Sequence, residues 1–347
     1  MKYQKRKIAI AMSGGVDSST AARILKDKGY ECLGVFMRLG IERGCGDEAA
    51  ARQVCQKLGI KFYSLDLKNF FERDVKDHFL KAYQGGVTPN PCVKCNKLIK
   101  FGELFRKARE LGCDYLATGH YAKLKKIKGF YKVYRAKDLS KDQTYFLYNL
   151  TQNQLEHVLF PLGDLIKKNI KVEAQKARLP NLKTESHDIC FLPGDLGSYL
   201  KKCLKLKKGE IKTVNGLVVG EHQGLPLYTI GQRKGVEIGG QGPYYVISKD
   251  FESNTLYVTN KADDPALSGK YLLAENVNWV SGKKPKLPFK CLAVIRYRHQ
   301  EVPCVITKLE DDKFVVEFSE PQRAITPGQS VAFYKKNELL GGGIICN

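Results

Sequence analysis

The sequence has no long apolar run. Its longest, IAIAM and GGGII, fall far short of the roughly 20 residues that a transmembrane helix needs, so no membrane span is expected. The N-terminus MKYQKRK is basic, but the apolar run behind it is too short for a signal peptide, which points to the cytoplasm. Acid is scarce. Against 58 Lys and Arg stand 36 Asp and Glu, a formal net charge of +22. AKLKKIKGFYKVYRAK (122–137) carries seven basic residues and no acid, and Asn276 to Gln300 is again acid-free. One such patch reads as solvated surface. Several of them, with the global charge, favour a polyanionic partner, nucleic acid first. An anionic membrane fits less well, because the patches do not sit on one amphipathic helix. Internal repeats and low-complexity tracts are absent. The 347 residues, 43% of them hydrophobic, suffice for two or three globular domains.

A disulfide framework is also missing. The 11 cysteines are odd in number and irregular in spacing, in a chain without an export signal. Cys32, Cys55 and Cys113 lie in apolar periodic segments and read as core. TPNPCVKCNKLIKFG (88–102) holds one Cys-x-x-Cys, Cys92 and Cys95. It could be half a zinc site, but no second pair stands at zinc-finger spacing. Two prolines hold the preceding chain extended and a helix follows. A thiolate at that helix N-terminus, beside Lys94 and Lys97, is expected to have a lowered pKa and to be nucleophilic. Cys190 stands apart in ESHDICFLPG (185–194), where His187 reads as a polar loop residue. Trp279 reads as core.

Periodicity gives strands at 6–12, 31–37, 60–66 and 114–118. Helices are expected at 18–28, 47–58, 70–83 and 97–111. Such βα alternation predicts a parallel sheet with helices on both faces. Ligands then sit beyond the carboxyl ends of the strands, here Met12–Ser13, Met37 and Thr118–Gly119. A basic hairpin, KLKKIKGFYKVYR, interrupts the pattern, and helices follow near 151–158 and 166–178. After about residue 205 short alternating runs separated by Gly, Pro, Asn and Asp predict one or two small sheets or barrels. The expected organisation is an α/β domain at 1–200, a small β-rich domain at 201–266 and a C-terminal β-barrel at 267–347.

A P-loop lysine is absent too. AMSGGVDSS (11–19) joins the first strand to the first helix through Gly14 and Gly15, which let the backbone approach a phosphate. Ser13, Ser18 and the free N–H groups of the helix start are donors for its oxygens. Asp17 would be repelled by phosphate, so it reads as a helix-cap acceptor or a Mg²⁺ ligand. The bland alternative is a strand–turn–helix with a capping serine. SGGVDSS resembles the loop of the pyrophosphatase-type ATP-binding (PP-loop) superfamily, whose members cut ATP between its α and β phosphates.

With GVFMR, TPNPCVKCNK, ATGHYAK, KDQTYFLY, DICFLPG, GEHQGLPLYTIGQRKG, RYRHQEVPC and TPGQSVAFY in the same order, nearly the whole chain resembles the bacterial tRNA-specific 2-thiouridylases. The resemblance implies a PP-loop domain, a small central β domain and a barrel that grips tRNA. It implies ATP-dependent replacement of O2 by sulfur at the wobble uridine, position 34, of tRNAs for Lys, Glu and Gln. It assigns Ala11, Met12, Ser13, Gly14, Gly15, Val16, Asp17, Ser18, Met37 and Gly119 to ATP, taken up with Mg²⁺. Cys95 becomes the nucleophile and Cys190 the persulfide carrier. Asn90, Pro91 and Cys92 would face the target base. His120, Lys141, Asp142, Gln143, Arg296, Tyr297 and Gln329 would touch tRNA. The sulfur donor would be a persulfide relay protein or a cysteine desulfurase.

The chemistry needs that set. Oxide is a poor leaving group, so adenylation converts O2 into AMP, and a persulfide sulfur then displaces it. A second cysteine resolves the persulfide by a disulfide with Cys190. Other PP-loop tRNA modifiers, amide-forming synthetases and a non-catalytic RNA-binding protein all fit the paired cysteines less well. One position departs from the commonest family pattern, which has Asp where this chain has Cys92. Cys92, Cys95 and Cys190 could therefore be three ligands of a [4Fe–4S] cluster, with hydrosulfide as donor on the open iron. GQRKG (231–235) and RYRH (296–299), inside matching strings, read as backbone-phosphate contacts.

Overall fold

The computed structural model describes residues 6–41, 47–180, 189–192, 194–236, 238, 243–309 and 312–346. His187 and Asp188 lie outside the described residues.

The N-terminal region is built on five parallel strands: β1 (Lys7–Met12), β2 (Glu31–Arg38), β3 (Lys61–Asp66), β4 (Tyr115–Ala117) and, after the hairpin, β7 (Val158–Leu159). Their order is β3-β2-β1-β4-β7. Ile8, Ala9 and Ile10 of β1 are fully buried, as a central strand covered on both faces requires. The order reverses between β1 and β4. The crevice beyond those two strands is where such sheets bind ligands, and it is lined by the Gly14–Gly15 turn after β1 and by Gly119 after β4.

Helix α1 (Val16–Asp27) begins two residues before the expected start. Helix α2 (Glu48–Leu58) is capped by Asp47, whose side chain accepts from the Ala50 N–H, and closes on a left-handed Gly59. Two long helical segments follow, 68–84 and 91–110. The second is α-helical over Pro91–Cys95 and π-helical over Asn96–Leu104. It starts well before residue 97, so Cys92 and Cys95 lie within its first turns. Pro91 is compatible with that start because the first helical N–H has no partner to lose. Widened turns of this kind gather at functional sites.

The basic hairpin forms β5 (Ala122–Ile127) and β6 (Phe130–Arg135), and it does more than interrupt the alternation. β6 pairs with the barrel through Val133↔Leu339 and Tyr134↔Glu338. Strands β8 (Gly209–Thr213), β9 (Val218–His222), β10 (Tyr245–Asp250) and β11 (Thr255–Thr259) make a four-stranded sheet. The helix Leu196–Cys203 leads into it and runs through residue 200. Strands β12 (Ser268–Trp279), β13 (Phe289–Val294), β14 (Val302–Lys308), β15 (Phe314–Arg323), β16 (Ser330–Lys335) and β17 (Glu338–Cys346) close a six-stranded barrel through the β12–β17 pairing. Trp279, stacked on Phe333 at 5.6 Å, packs against its core. Cys32, Cys55 and Cys113 are buried, as their apolar spacing predicts. Among the described residues no helix is long and apolar enough to cross a membrane.

Candidate active site

The nucleotide turn is held by its own hydroxyls. The Ser13 N–H donates to Ser18 Oγ (3.1 Å), and the Ser18 and Ser19 hydroxyls donate to the Gly15 carbonyl (3.1 and 2.9 Å). Gly14 has φ +78°, and a Cβ there would meet the Asp47 carbonyl oxygen at 2.6 Å, so only glycine fits. Gly15 is the N-cap of α1 and brings no side-chain cap, which leaves the first-turn N–H groups for an anion. Gly119 presses against the same turn: a Cβ on it would lie 3.1 Å from the Ser18 nitrogen.

Asp17 does not cap α1. Its carboxylate lies 2.6 and 2.7 Å from the Lys167 ammonium and accepts the Tyr121 hydroxyl at 2.6 Å. Lys167 opens the helix Lys167–Lys176, and its backbone N–H donates to Asp138 (2.9 Å). A lysine therefore stands at this nucleotide turn after all, delivered by a distant helix. Nothing in the sequence marks it, because LIKKN reads as an ordinary helix start.

The helix bearing Cys92 and Cys95 is capped by Asn90, whose side chain accepts from the Val93 N–H at 3.4 Å. Cys95 is buried beside Val93, Ile99 and Phe101, in the cluster against which Ala11, Met37 and Cys190 also pack. Cys190 lies near enough to Cys95 for its charge to be felt there, so two thiols distant in sequence are neighbours in the fold. The expected lowering of the Cys95 pKa is not what the structure shows. Burial pushes the thiol up to about 11, Lys100 pulls the other way, and the charge of a Cys190 thiolate would raise it further. Position at a helix start does not offset the loss of water around the sulfur.

The three-thiol arrangement does not fit a cluster here. Among the described residues no three His, Cys, Asp or Glu side chains are gathered as a metal would need. Cys95 points into apolar packing while Cys92 is half-exposed.

The residues expected at tRNA have varied surroundings. His120 is buried between Phe101 and Phe160, with Nδ1 2.8 Å from Thr118 Oγ1, and burial holds its pKa well below the usual imidazole value. Asp142 is buried and accepts from the Ala136 N–H and the Thr144 hydroxyl (2.9 and 2.6 Å). Gln143 accepts the Tyr121 N–H (3.0 Å). Gln143 thereby holds the chain at Tyr121. Lys141 is half-exposed beside them. Tyr297 packs on Phe146 with ring centres 4.6 Å apart, and Arg296 donates to the Arg323 carbonyl (3.3 Å). Gln329 donates to the carbonyls of Thr88 and Pro89 (2.9 and 3.4 Å). Arg233 and Lys234 of GQRKG are exposed.

Fold and site together define an α/β domain with a glycine turn between β1 and α1, two neighbouring cysteines and two β domains. The chain belongs to the family of tRNA-specific 2-thiouridylases. Residues 6–194 match the family described as tRNA methyl transferase HUP domain, 197–260 the tRNA methyl transferase PRC-barrel domain, and 269–345 the aminomethyltransferase beta-barrel domain. A tRNA-specific 2-thiouridylase MnmA of Halalkalibacterium halodurans is 43% identical over 99% of this chain and 95% of its own length. That of Clostridium tetani, named MnmA 2, is 45% identical over 99% of this chain and all of its own. A third, from Carboxydothermus hydrogenoformans, is 43% identical over 98% of both chains.

Proposed function

We propose that this chain is an ATP-dependent tRNA 2-thiouridylase acting on the wobble uridine. The observation that supports this reading best is that Cys190 lies near enough to the buried Cys95 for its charge to act there, so two thiols 95 positions apart share one site.

In this reading the turn's N–H groups, Ser13 and Ser18 bind ATP phosphates, and the uridine O2 attacks the α phosphate, releasing pyrophosphate. Asp17 is the group suited to the Mg²⁺ that accompanies ATP, once Lys167 turns to a phosphate. Cys190 carries a persulfide delivered by a relay protein or a cysteine desulfurase. Its terminal sulfur attacks C2 and AMP leaves. Cys95, as thiolate, attacks Cys190 Sγ and the S–S bond breaks. The outer sulfur stays on C2, and a Cys95–Cys190 disulfide remains for an external dithiol to reduce. Burial opposes the Cys95 thiolate, and Lys100 offsets part of that penalty. No step runs through an iron–sulfur cluster, whose ligands are not gathered. Preference among tRNAs for Lys, Glu and Gln, the cytoplasmic location and the division at 1–200, 201–266 and 267–347 belong to the same reading.

The test is AMP release and 2-thiouridine formation on unmodified tRNA with a persulfide donor. Cys95→Ser and Cys190→Ser should each abolish thiouridine and keep tRNA-dependent AMP release. Thiolation by either variant would overturn the assignment.

A further inference from the structure

Thr88 is a point at which all three parts of the chain meet. Its N–H donates to the Pro327 carbonyl of the barrel at 3.0 Å. Its carbonyl accepts from Gln329, also of the barrel, at 2.9 Å. Its hydroxyl lies 3.2 Å from the hydroxyl of Thr229 in the central domain. So every hydrogen-bonding group of this one buried residue is engaged by another domain. The approach is close: Gly328 has φ +87°, and a Cβ on it would meet the Thr88 carbonyl at 2.9 Å. Thr88 stands two residues before Asn90, the N-cap of the helix with Cys92 and Cys95. Asn90 is itself hydrogen-bonded to Tyr145, whose hydroxyl donates to the Ser330 carbonyl of the barrel (2.8 Å). Pro89 and Pro91 fix φ on both sides of Asn90 and restrict the residues before them, so the link between Thr88 and the helix is stiff.

We propose that Thr88 is a positioning residue that lets the two β domains set the place of the cysteine helix. Resting on the reading above, the consequence is that RNA held by the β domains acts on the base-facing end of that helix through Thr88. A shift of either domain moves Thr88, and the stiff Pro89–Pro91 link passes the shift to Asn90 and the buried Cys95.

The test uses the full chain with and without tRNA. Thr88→Val and Thr229→Val each remove the hydroxyl pair from one side, and Thr88→Ser keeps it. Iodoacetamide labelling of Cys95, read by peptide mass spectrometry, reports how firmly the helix is held. Each Val variant should label Cys95 about fivefold faster than wild type, the usual effect of one lost hydrogen bond. The double variant should be no faster than either single one, because both remove the same bond. Thr88→Ser should match wild type, and Cys203 on the exposed helix should be unchanged throughout. Thiolation turnover at saturating tRNA should fall with KM for tRNA unchanged. Unaltered Cys95 labelling in both Val variants, or multiplied effects in the double, would overturn the proposal. If Thr88→Val does not fold, Thr229→Val tests the same bond alone. A wild type that releases no AMP with tRNA would refute the enzymatic reading, while the labelling still decides the role of Thr88.

Discussion

Lys167 and Asp17, 150 positions apart, form a two-pronged ion pair in which one ammonium reaches both carboxylate oxygens within 2.7 Å. Lys167 is largely buried and Asp17 only partly exposed, so the pair is better shielded from water than a surface bridge. It places a positive charge beside the start of α1 and offsets the negative charge of the Asp17 carboxylate. Lys167→Ala should weaken ATP binding about tenfold or more, the scale of a lost charge-assisted contact. Asp17→Ala should abolish tRNA-dependent AMP release while the fold survives. Calorimetric titration with a non-hydrolysable ATP analogue and a melting curve check both. Wild-type affinity in Lys167→Ala would remove the lysine from the site.

The raised Cys95 pKa has a definite sign. Burial disfavours the thiolate, so its fraction at pH 8 should be about a hundredfold below that of a thiol left at the ordinary value of 9.0. Labelling of Cys95 in the free chain should be correspondingly slow beside exposed Cys203. It should keep rising with pH up to about 11. The same shift makes the fold lose stability above pH 9, where the unfolded thiol ionises first. A Cys95 rate that levels off by pH 9 would contradict the burial argument.

Since the three thiols are not gathered, Cys92 is not needed as a metal ligand. Protein prepared without oxygen should hold no stoichiometric iron, and Cys92→Asp should retain most of its thiolation. Iron analysis beside a thiouridine assay decides. An iron-dependent wild type with an inactive Cys92→Asp would restore the cluster.

The hairpin β5–β6 exposes Lys125, Lys126 and Lys128 next to the barrel. If roughly six cations neutralise tRNA phosphates, affinity should fall about 10³-fold or more between 50 and 200 mM salt. Replacing the three lysines by Ala should lower the slope of log affinity against log salt by about one for each lysine that meets a phosphate. Binding indifferent to salt, measured by filter retention, would refute the electrostatic account.

The local sequence determined a good deal by itself. The apolar run Ile8–Ile10, the glycine turn and the alternation up to residue 118 dictate a parallel sheet, because buried strands and helix periods are written in neighbouring residues. The nucleotide turn and the roles of Cys95 and Cys190 came from the resemblance of SGGVDSS and the ordered motifs to a known family, not from spacing alone. Tertiary structure alone decided the rest. It set Lys167 on Asp17, pushed the Cys95 pKa up instead of down, kept Cys92, Cys95 and Cys190 from forming a metal set, and joined the 122–135 hairpin to the barrel. It also turned Gln329 to the Thr88 carbonyl. Each of these depends on which distant segments pack together and how much water they exclude. Neither packing partners nor desolvation has a signature in the order of nearby residues, whereas helix and strand periods do.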